Sequence, residues 1–270
     1  MVKRLIDRLM YWMFTRKYEG WTEEEFWQEY AHIYKNLEKG YALTRLVRTI
    51  EDLLELKRGF LCLDVGCGPL NVSKTILRKA ERSFGALPDV KIIATDIVLD
   101  TARENLPLIS WNGCIELKEM DVSKPWEFPA QTFNLEVANL VDPYMVKFDG
   151  KVRKEALAHV MEEHYRTLSK GGQLIWSSPK KDVFFEWVFL ASIPSMLNLY
   201  EYVARKDITR ILQGTRILAH GLEIQKKGQL GIYTFLETEE AIDLMKKIGF
   251  KGIVHRRSFI QQVDVYAAYR

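Results

Sequence analysis

Ten residues constrain this chain more than any others: Leu61-Cys-Leu-Asp-Val-Gly-Cys-Gly-Pro-Leu70. Phe60 to Val65 is a short apolar run of the kind that forms a strand buried on both faces. It carries Asp64 near its end and passes directly into Gly66 and Gly68. Glycine has no Cβ, so the backbone there can turn sharply and lie flat against a ligand. An acid beside such a turn falls at the carboxyl end of a strand, where open α/β sheets bind their ligands. The segment predicts a strand, a tight turn and a helix around a nucleotide-type site.

The spacing argues against a dinucleotide. That fingerprint wants a small residue three positions after the second glycine, and Asn71 stands there. An acid just before Gly66 also suits a cationic ligand better than a pyrophosphate. A second apolar strand, Lys91 to Asp96, ends in an acid whose carboxylate can accept hydrogen bonds from both ribose hydroxyls. The gap between Gly68 and Asp96 is longer than the roughly 20 residues of the dinucleotide pattern. A helix over 71–84 and a turn at Leu87-Pro88-Asp89 fill it.

Taken together, these segments resemble a known family. Asp64-Val-Gly-Cys-Gly-Pro69, Asp96 after the second strand, Met120-Asp121-Val122 after the third, the fourth strand Phe133 to Asn139, and Leu168-Ser-Lys-Gly-Gly172 before the fifth are similar, in order and spacing, to class I S-adenosylmethionine (SAM)-dependent methyltransferases. The resemblance runs from about residue 60 to 178. It resumes from 235 to 270, where a helix and two strands are similar to the family's closing antiparallel pair. It implies an α/β, Rossmann-like fold with a seven-stranded, mostly parallel sheet and an antiparallel last strand. It also implies SAM as cofactor and S-adenosylhomocysteine (SAH) as product. Residue by residue, Asp64, Gly66 and Gly68, with Cys67 between the glycines, would line the methionine end. Asp96 would hold the ribose and Ile97 lie against the adenine. Asp121 would accept from the adenine amino group, with Val122 beside it. Asn139 and Leu140 would pass close to the sulfonium. Tyr34, in a segment similar to the family's N-terminal lid, would approach the cofactor. For each single acid a helix cap or solvated turn is the competing role.

Composition narrows the class. Of 270 residues 47% are hydrophobic, ample for a sizeable core. Net charge is only +3 with the basic residues spread out, which speaks against a dedicated nucleic-acid surface while leaving RNA open as a substrate. Cys62, Cys67 and Cys114 form no Cys-x-x-Cys pair, so neither a disulfide framework nor a zinc site is expected, and a cytoplasmic setting follows. No cleavage-type signal and no spanning apolar stretch of roughly 18 residues is seen. No His or acid set recurs at metal-ligand spacing, so no metal is expected.

Three segments flank or interrupt the strand–helix alternation. Residues 1–18 place Val2, Leu5, Ile6, Leu9, Met10 and Met13 at helical spacing opposite Lys3, Arg4, Arg8, Arg16 and Lys17. Such a helix can lie on a membrane surface, and packing on the domain or on a second copy in a homodimer competes with that. Thr22 and Glu25 form a capping-box pattern before a helix around Trp27, Tyr30 and Tyr34. A helix over 41–56 buries Leu43, Leu46, Val47, Ile50, Leu53 and Leu54. The alternation stops between 180 and 230, far too long for an ordinary αβ connection. An apolar stretch over 184–200, interrupted at Pro194, precedes a more polar one containing Ile208, Ile211, Leu212, Ile217 and Leu218 at helical spacing. The division expected is a helical lid over 1–57, a core over 58–180 and 231–270, and a helical cap inserted over 181–230. The cap would shape a substrate pocket and exclude water; a dimer interface or plain packing are the alternatives.

Tyr144 and His220 are the candidate catalytic residues. The segment from Asn139 to Tyr144 begins like the Asn-Pro-Pro-Tyr of enzymes that methylate amino nitrogens, but two extra residues break the match. Asp142 and Tyr144 can still face the acceptor. His220, beside Gly221 in the insertion, is the one histidine nominated as a base; a structural or solvent-exposed role competes with it. His159 and His164 are expected on the surface or flank of the helix before strand five. The aromatic cap and amphipathic start favour a small lipophilic acceptor such as a lipid, quinone or isoprenoid-like molecule. The alternatives are a non-catalytic SAM- or SAH-binding subunit that stabilises a partner, and a methyltransferase for a polar amine, protein or RNA.

Overall fold

The structure is a computed structural model that describes residues 14–34, 41–85, 89–196 and 209–270. Seven strands make the main sheet: β1 (Phe60–Val65), β2 (Val90–Asp96), β3 (Ile115–Glu119), β4 (Phe133–Asn139), β5 (Leu168–Pro179), β6 (Lys251–Ser258) and β7 (Val263–Tyr269). Their order is β3-β2-β1-β4-β5-β7-β6. The first five run parallel; β7 is antiparallel to both of its neighbours, β5 and β6. Order and directions are those of the Rossmann-like methyltransferase fold, and β1 occupies a central place between β2 and β4.

Both faces of the sheet are covered, as a parallel sheet requires. One face carries Cys62, Ile92, Leu135, Val137 and Ile175 against α2 (Tyr41–Leu53), α3 (Asn71–Phe84) and α4 (Asp100–Asn105). The other carries Leu63, Val65, Phe133, Leu174 and Trp176 against α5 (Arg153–Thr167) and α8 (Thr238–Ile248). Adjacent residues Cys62 and Leu63 thus serve opposite cores, the period-2 alternation of a strand. Of the α2 stripe inferred from spacing, Leu43, Leu46, Ile50, Leu53 and, just past the helix, Leu54 are buried, and Val47 is half-buried against the same core. Ile50 has no exposed surface, so truncating it to Ala should cost ~2–5 kcal/mol.

A third cluster lies at the carboxyl ends of the strands. It joins Tyr18 and Phe26, the latter on α1 (Glu23–Tyr34), to Tyr144, Val183, Tyr233, Phe235 and the buried Ala219 and Ile224 of α7 (Thr209–Gln229). The Thr22 capping box forms, with the Thr22 N–H donating to Glu25 Oε2 at 2.7 Å and the Glu25 N–H to Thr22 Oγ1 at 3.2 Å. α6 (Phe185–Met196) continues past Pro194, and its Val188 joins the α2–α4 core. α7 is longer than its apolar spacing suggests. It includes His220 and Gly221, which were expected in a loop, because a Cβ at Gly221 would press within 3.1 Å of Phe185 Cβ. The glycine allows two helices to approach.

β5 begins at Leu168, earlier than the apolar run implies, since Leu168 already pairs with Phe133 across a register shift. His164, expected on a helix surface, has no exposed surface at all. The amphipathic pattern of residues 1–13 lies outside the described residues. No described helix is long and apolar enough to cross a membrane.

Candidate functional site

The turn after β1 is built as its glycines imply. Gly66 and Gly68 have φ of +64° and +47°, and Leu70 (φ +67°) leads into α3. The Cys67 N–H donates to the Thr95 carbonyl at 2.8 Å, tying the turn to β2. The glycines are required for different reasons. A Cβ on Gly66 would run into Val141 Cγ2, whereas one on Gly68 would meet nothing within 4 Å. Gly68 therefore offers bare backbone to open space, and Gly66 lets the β4 loop close on the turn.

Asp96 completes this cradle from the end of β2. Its Oδ2 accepts the Gly68 N–H at 2.9 Å and its Oδ1 the Val98 N–H at 3.1 Å. Burial raises its pKa, with the backbone donors pulling the other way. Each carboxylate oxygen keeps lone pairs for further donors. Asp121 stands past β3, holding Ser123 N–H and Oγ–H at 2.9 and 2.6 Å and lying 3.0 Å from Lys124 Nζ. Partial burial pushes its carboxyl up, but Ser123 and Lys124 outweigh that and hold it below the usual range. At the end of β4, Ser177 Oγ donates to Asn139 Oδ1 at 2.8 Å and accepts the Leu140 N–H at 2.9 Å. Leu140 (φ +57°) adopts a left-handed conformation that non-glycine residues rarely hold.

These groups open on a cavity of about 530 Å³, the size of a small-ligand site. Gly66, Cys67, Gly68, Asp96, Ile97, Asp121, Val122, Asn139, Leu140 and Tyr144 all line it. Trp27 and Tyr30 of α1 face them across the cavity. Trp27 lies 5.2 Å from the Tyr144 ring at 31° and 5.3 Å from Tyr30 at 87°, so the three form one aromatic wall. Glu23 and Glu24 also line the cavity; Glu23 is held by Lys227 Nζ and Tyr233 Oη, both at 2.6 Å. Neither Trp27 nor Tyr30 is distinguishable by sequence pattern from aromatics that merely pack a helix. Ser177 carries no motif at all.

Two expected site residues are placed differently, and the side chain of a third lies outside the described residues. Asp64 does not line the cavity: it is 1% exposed, and its Oδ2 accepts the Ser73 N–H at 3.1 Å and Oγ–H at 2.6 Å. It anchors the first turn of α3 behind the glycine loop, where burial pushes its carboxyl up to about 7 despite the Ser73 donors. Its buried Oδ1 has no hydrogen-bond partner. His220 is also withdrawn. Fully buried on α7, its Nδ1 lies 2.5 Å from Tyr18 Oη and 3.1 Å from the Arg216 carbonyl. Burial lowers its pKa to about 4, and it packs beside Phe26 and Tyr30 without lining the cavity. Tyr34 ends α1, and its side chain falls outside the described residues.

The donor set fits a nucleoside ligand: bare backbone at Gly68, a strand-end carboxylate at Asp96, apolar Ile97 and Val122, and a second carboxylate at Asp121. Among the described residues no group of His, Cys, Asp and Glu is arranged to hold a metal.

Neither a family model nor a curated protein matches this sequence. Solved structures do match its fold. A SAM-dependent methyltransferase of Thermotoga maritima is 16% identical, the match covering 91% of this chain and 97% of that one, with a TM-score of 0.52. An O-methyltransferase family protein of Burkholderia thailandensis is 13% identical over 83% of this chain and 56% of its own, with a TM-score of 0.52. A structure of PigF with SAH is 13% identical over 84% of this chain and 54% of its own, with a TM-score of 0.51. Against several such neighbours the chain spans only about half to two thirds of their length. The fold is that of the class I SAM-dependent methyltransferases.

Proposed function

We propose that this chain is a SAM-dependent methyltransferase for a small, largely apolar acceptor. One observation carries the proposal: a single cavity joins the glycine turn and the strand-end carboxylate of Asp96 to the wall of Trp27, Tyr30 and Tyr144. In this reading Asp96 accepts the ribose hydroxyls, Ile97 covers the adenine, and Asp121 with Val122 meets the adenine edge. Gly66, Cys67 and Gly68 pass along the methionine portion, and Asn139 and Leu140 lie near the sulfonium. SAM supplies an already activated methyl group. The protein's task is then to align the acceptor and exclude water.

The aromatic wall serves both ends, giving an acceptor apolar ring faces and edges to pack against. Tyr144 is the residue placed against the acceptor. His220, neutral and turned into the lid, is no longer proposed as a base. The helices of 181–230 act as a cap in this reading, packing behind the wall through Ala219 and Ile224. Contact of residues 1–18 with a membrane surface would suit a lipophilic acceptor.

Calorimetric titration with SAH is the test. The wild-type chain should bind, and Asp96→Ala should weaken binding about a hundredfold, since it removes charge-assisted bonds and frees the Gly68 amide. No heat with the wild type ends the proposal. Labelled-methyl transfer to lipophilic phenols and quinols, set against polar amines, then tests the acceptor class. The withdrawal of His220 favours one second reading, a chain that binds SAM to stabilise a partner. Tight SAH binding with no turnover, and a stable hetero-complex by light scattering, would select it.

A further inference from the structure

The most unusual side-chain cluster in the molecule lies under the site rather than in it. Glu136 on β4, Asp142 in the turn after β4 and His164 on α5 meet with no exposed surface on any of them. His164 Nδ1 is 2.6 Å from Glu136 Oε2, and His164 Nε2 is 3.1 Å from Asp142 Oδ2. The Thr167 hydroxyl donates to Glu136 Oε1 at 2.7 Å. An ionised carboxylate only accepts hydrogen bonds. Burial raises the Glu136 carboxyl while the bonds from His164 and Thr167 pull it down; with both acids ionised, a ring with a carboxylate on each nitrogen donates from both and is an imidazolium. The other groups around it are Trp126, whose ring meets the imidazole edge-on at 4.7 Å, and the Glu163–Arg166 ion pair of α5. Burial opposes the charge on His164, but Asp142 and Glu136 outweigh it and raise the pKa to about 9.

Burying two acids and a base is costly, and here the charges are offset by their mutual bonds while Asp142 Oδ1 is left without a partner. What they fix is the turn that carries Tyr144. The chain leaves β4 through Leu140 at φ +57° and Val141 at φ −121°, ψ −66°, two successive unfavourable conformations. It then makes a single 3-10 turn from Asp142 to Tyr144. Its anchors include the Leu140 N–H on Ser177, the Thr234 N–H donating to the Pro143 carbonyl at 2.8 Å, the packing of the Tyr144 ring on Trp27, Tyr233 and Phe235, and Asp142 on His164. The last is charge-assisted, and it holds the residue two before Tyr144.

We infer that His164 is a positioning residue: as an imidazolium tethered to Glu136, it holds Asp142 and so sets the 3-10 turn that places Tyr144 on the acceptor side of the cavity. The geometric claim stands on the cluster itself; its bearing on the acceptor rests on the methyltransferase reading. Most of the cofactor side hangs on other elements, Gly68, Asp96 and Asp121 on β1, β2 and β3; Asn139 and Leu140 reach it from β4, ahead of the tethered Asp142.

The test has three arms on the full chain. In wild type, nitrogen-15 NMR of the histidine side chains should show both ring nitrogens of His164 protonated at pH 7.5. A neutral tautomer there overturns the inference without any variant. In protein containing 3-fluorotyrosine, with the Tyr144 line assigned through Tyr144→Phe, His164→Gln should move or broaden that line. Asp142→Asn should do the same, and the double variant no more than either single one. An unmoved Tyr144 line in a folded His164→Gln chain, or additive effects, refutes the tether. SAH affinity of His164→Gln should stay within about threefold of wild type. A loss as large as that of Asp96→Ala would mean the cluster supports the whole site rather than the turn. If wild type itself binds no SAH, the methyltransferase reading fails while the first two arms still decide the tether.

Discussion

At the scale of single residues, the two glycines of the β1 turn make separable predictions. Gly66→Ala drives a methyl into Val141 at a positive φ, so it should lower the unfolding free energy by ~2–4 kcal/mol, with Val141→Ala recovering part of the loss. Gly68→Ala meets no protein atom and should cost only the ~1–2 kcal/mol of its left-handed backbone, while weakening SAH binding at least about tenfold. Denaturant titration and calorimetry on the two variants check the split. Asp64 makes a pH prediction. Its carboxyl titrates near 3.8 when unfolded and near 7 in the folded chain, so between those values the folded state holds a proton that the unfolded state lacks. Stability should therefore fall as pH rises from about 4 to about 7. Asp64→Asn, which can still accept from Ser73, should raise Tm at pH 8 more than at pH 5. An equal shift at both values would show that burial does not govern this carboxyl.

At the scale of elements, the helix best placed to respond independently is α1. Its capping box closes its own first turn; the Glu23 bonds to Lys227 and Tyr233, with the contact of the preceding Tyr18 to His220, attach it to α7 and its flank, while Trp27 and Tyr30 form the aromatic wall. Thr22→Ala should cost ~1 kcal/mol. Faster amide exchange confined to 23–30, with the sheet unchanged, is the expected signature. Elements were also where the sequence was most legible. A strand buried on both faces shows as a mostly apolar run, as at β1 and β2, whereas β3 (Ile115–Glu119) is only partly buried, β6 (Lys251–Ser258) is largely exposed, and neither carries one. The cavity-lining residues at strand ends were readable for the same reason: Asp96 and Asn139 each sit where a run stops. Asp64 was misread because a run shows where an acid sits along a strand but not which way its carboxylate turns. His220 was misread because Gly221 resembles a loop, when Phe185 is what requires it. His164 was missed because its partners lie 28 and 22 residues away, and no local pattern encodes them.

At the scale of the whole molecule, the two cores and the strand-end cluster share elements, so the chain should unfold as one unit. Val188 of α6 belongs to the α2–α4 core, and Tyr144 ties the aromatic cluster to the β4 loop. Tryptophan fluorescence and far-ultraviolet circular dichroism should give coincident transitions; a separate early step would mark the cap as independent. His164 adds a second pH signature. Its pKa is raised from 6.5 to about 9 on folding, so its contribution is complete below 6.5 and disappears as pH rises through about 9. Global stability should fall across that window in wild type and be flatter there in His164→Gln.

The reversed strand β7 has a consequence for biosynthesis. It lies between β5 and β6 yet leaves the ribosome after every other strand. While residues 180–262 are being made, the backbone edge of β5 that will pair with β7 has no neighbour, a delay of several seconds at ~5–20 residues per second. An open strand edge with unpaired N–H and C=O groups recruits other chains. The yield of soluble product should accordingly follow translation speed and chaperone supply more closely than it follows the robustness of the finished fold.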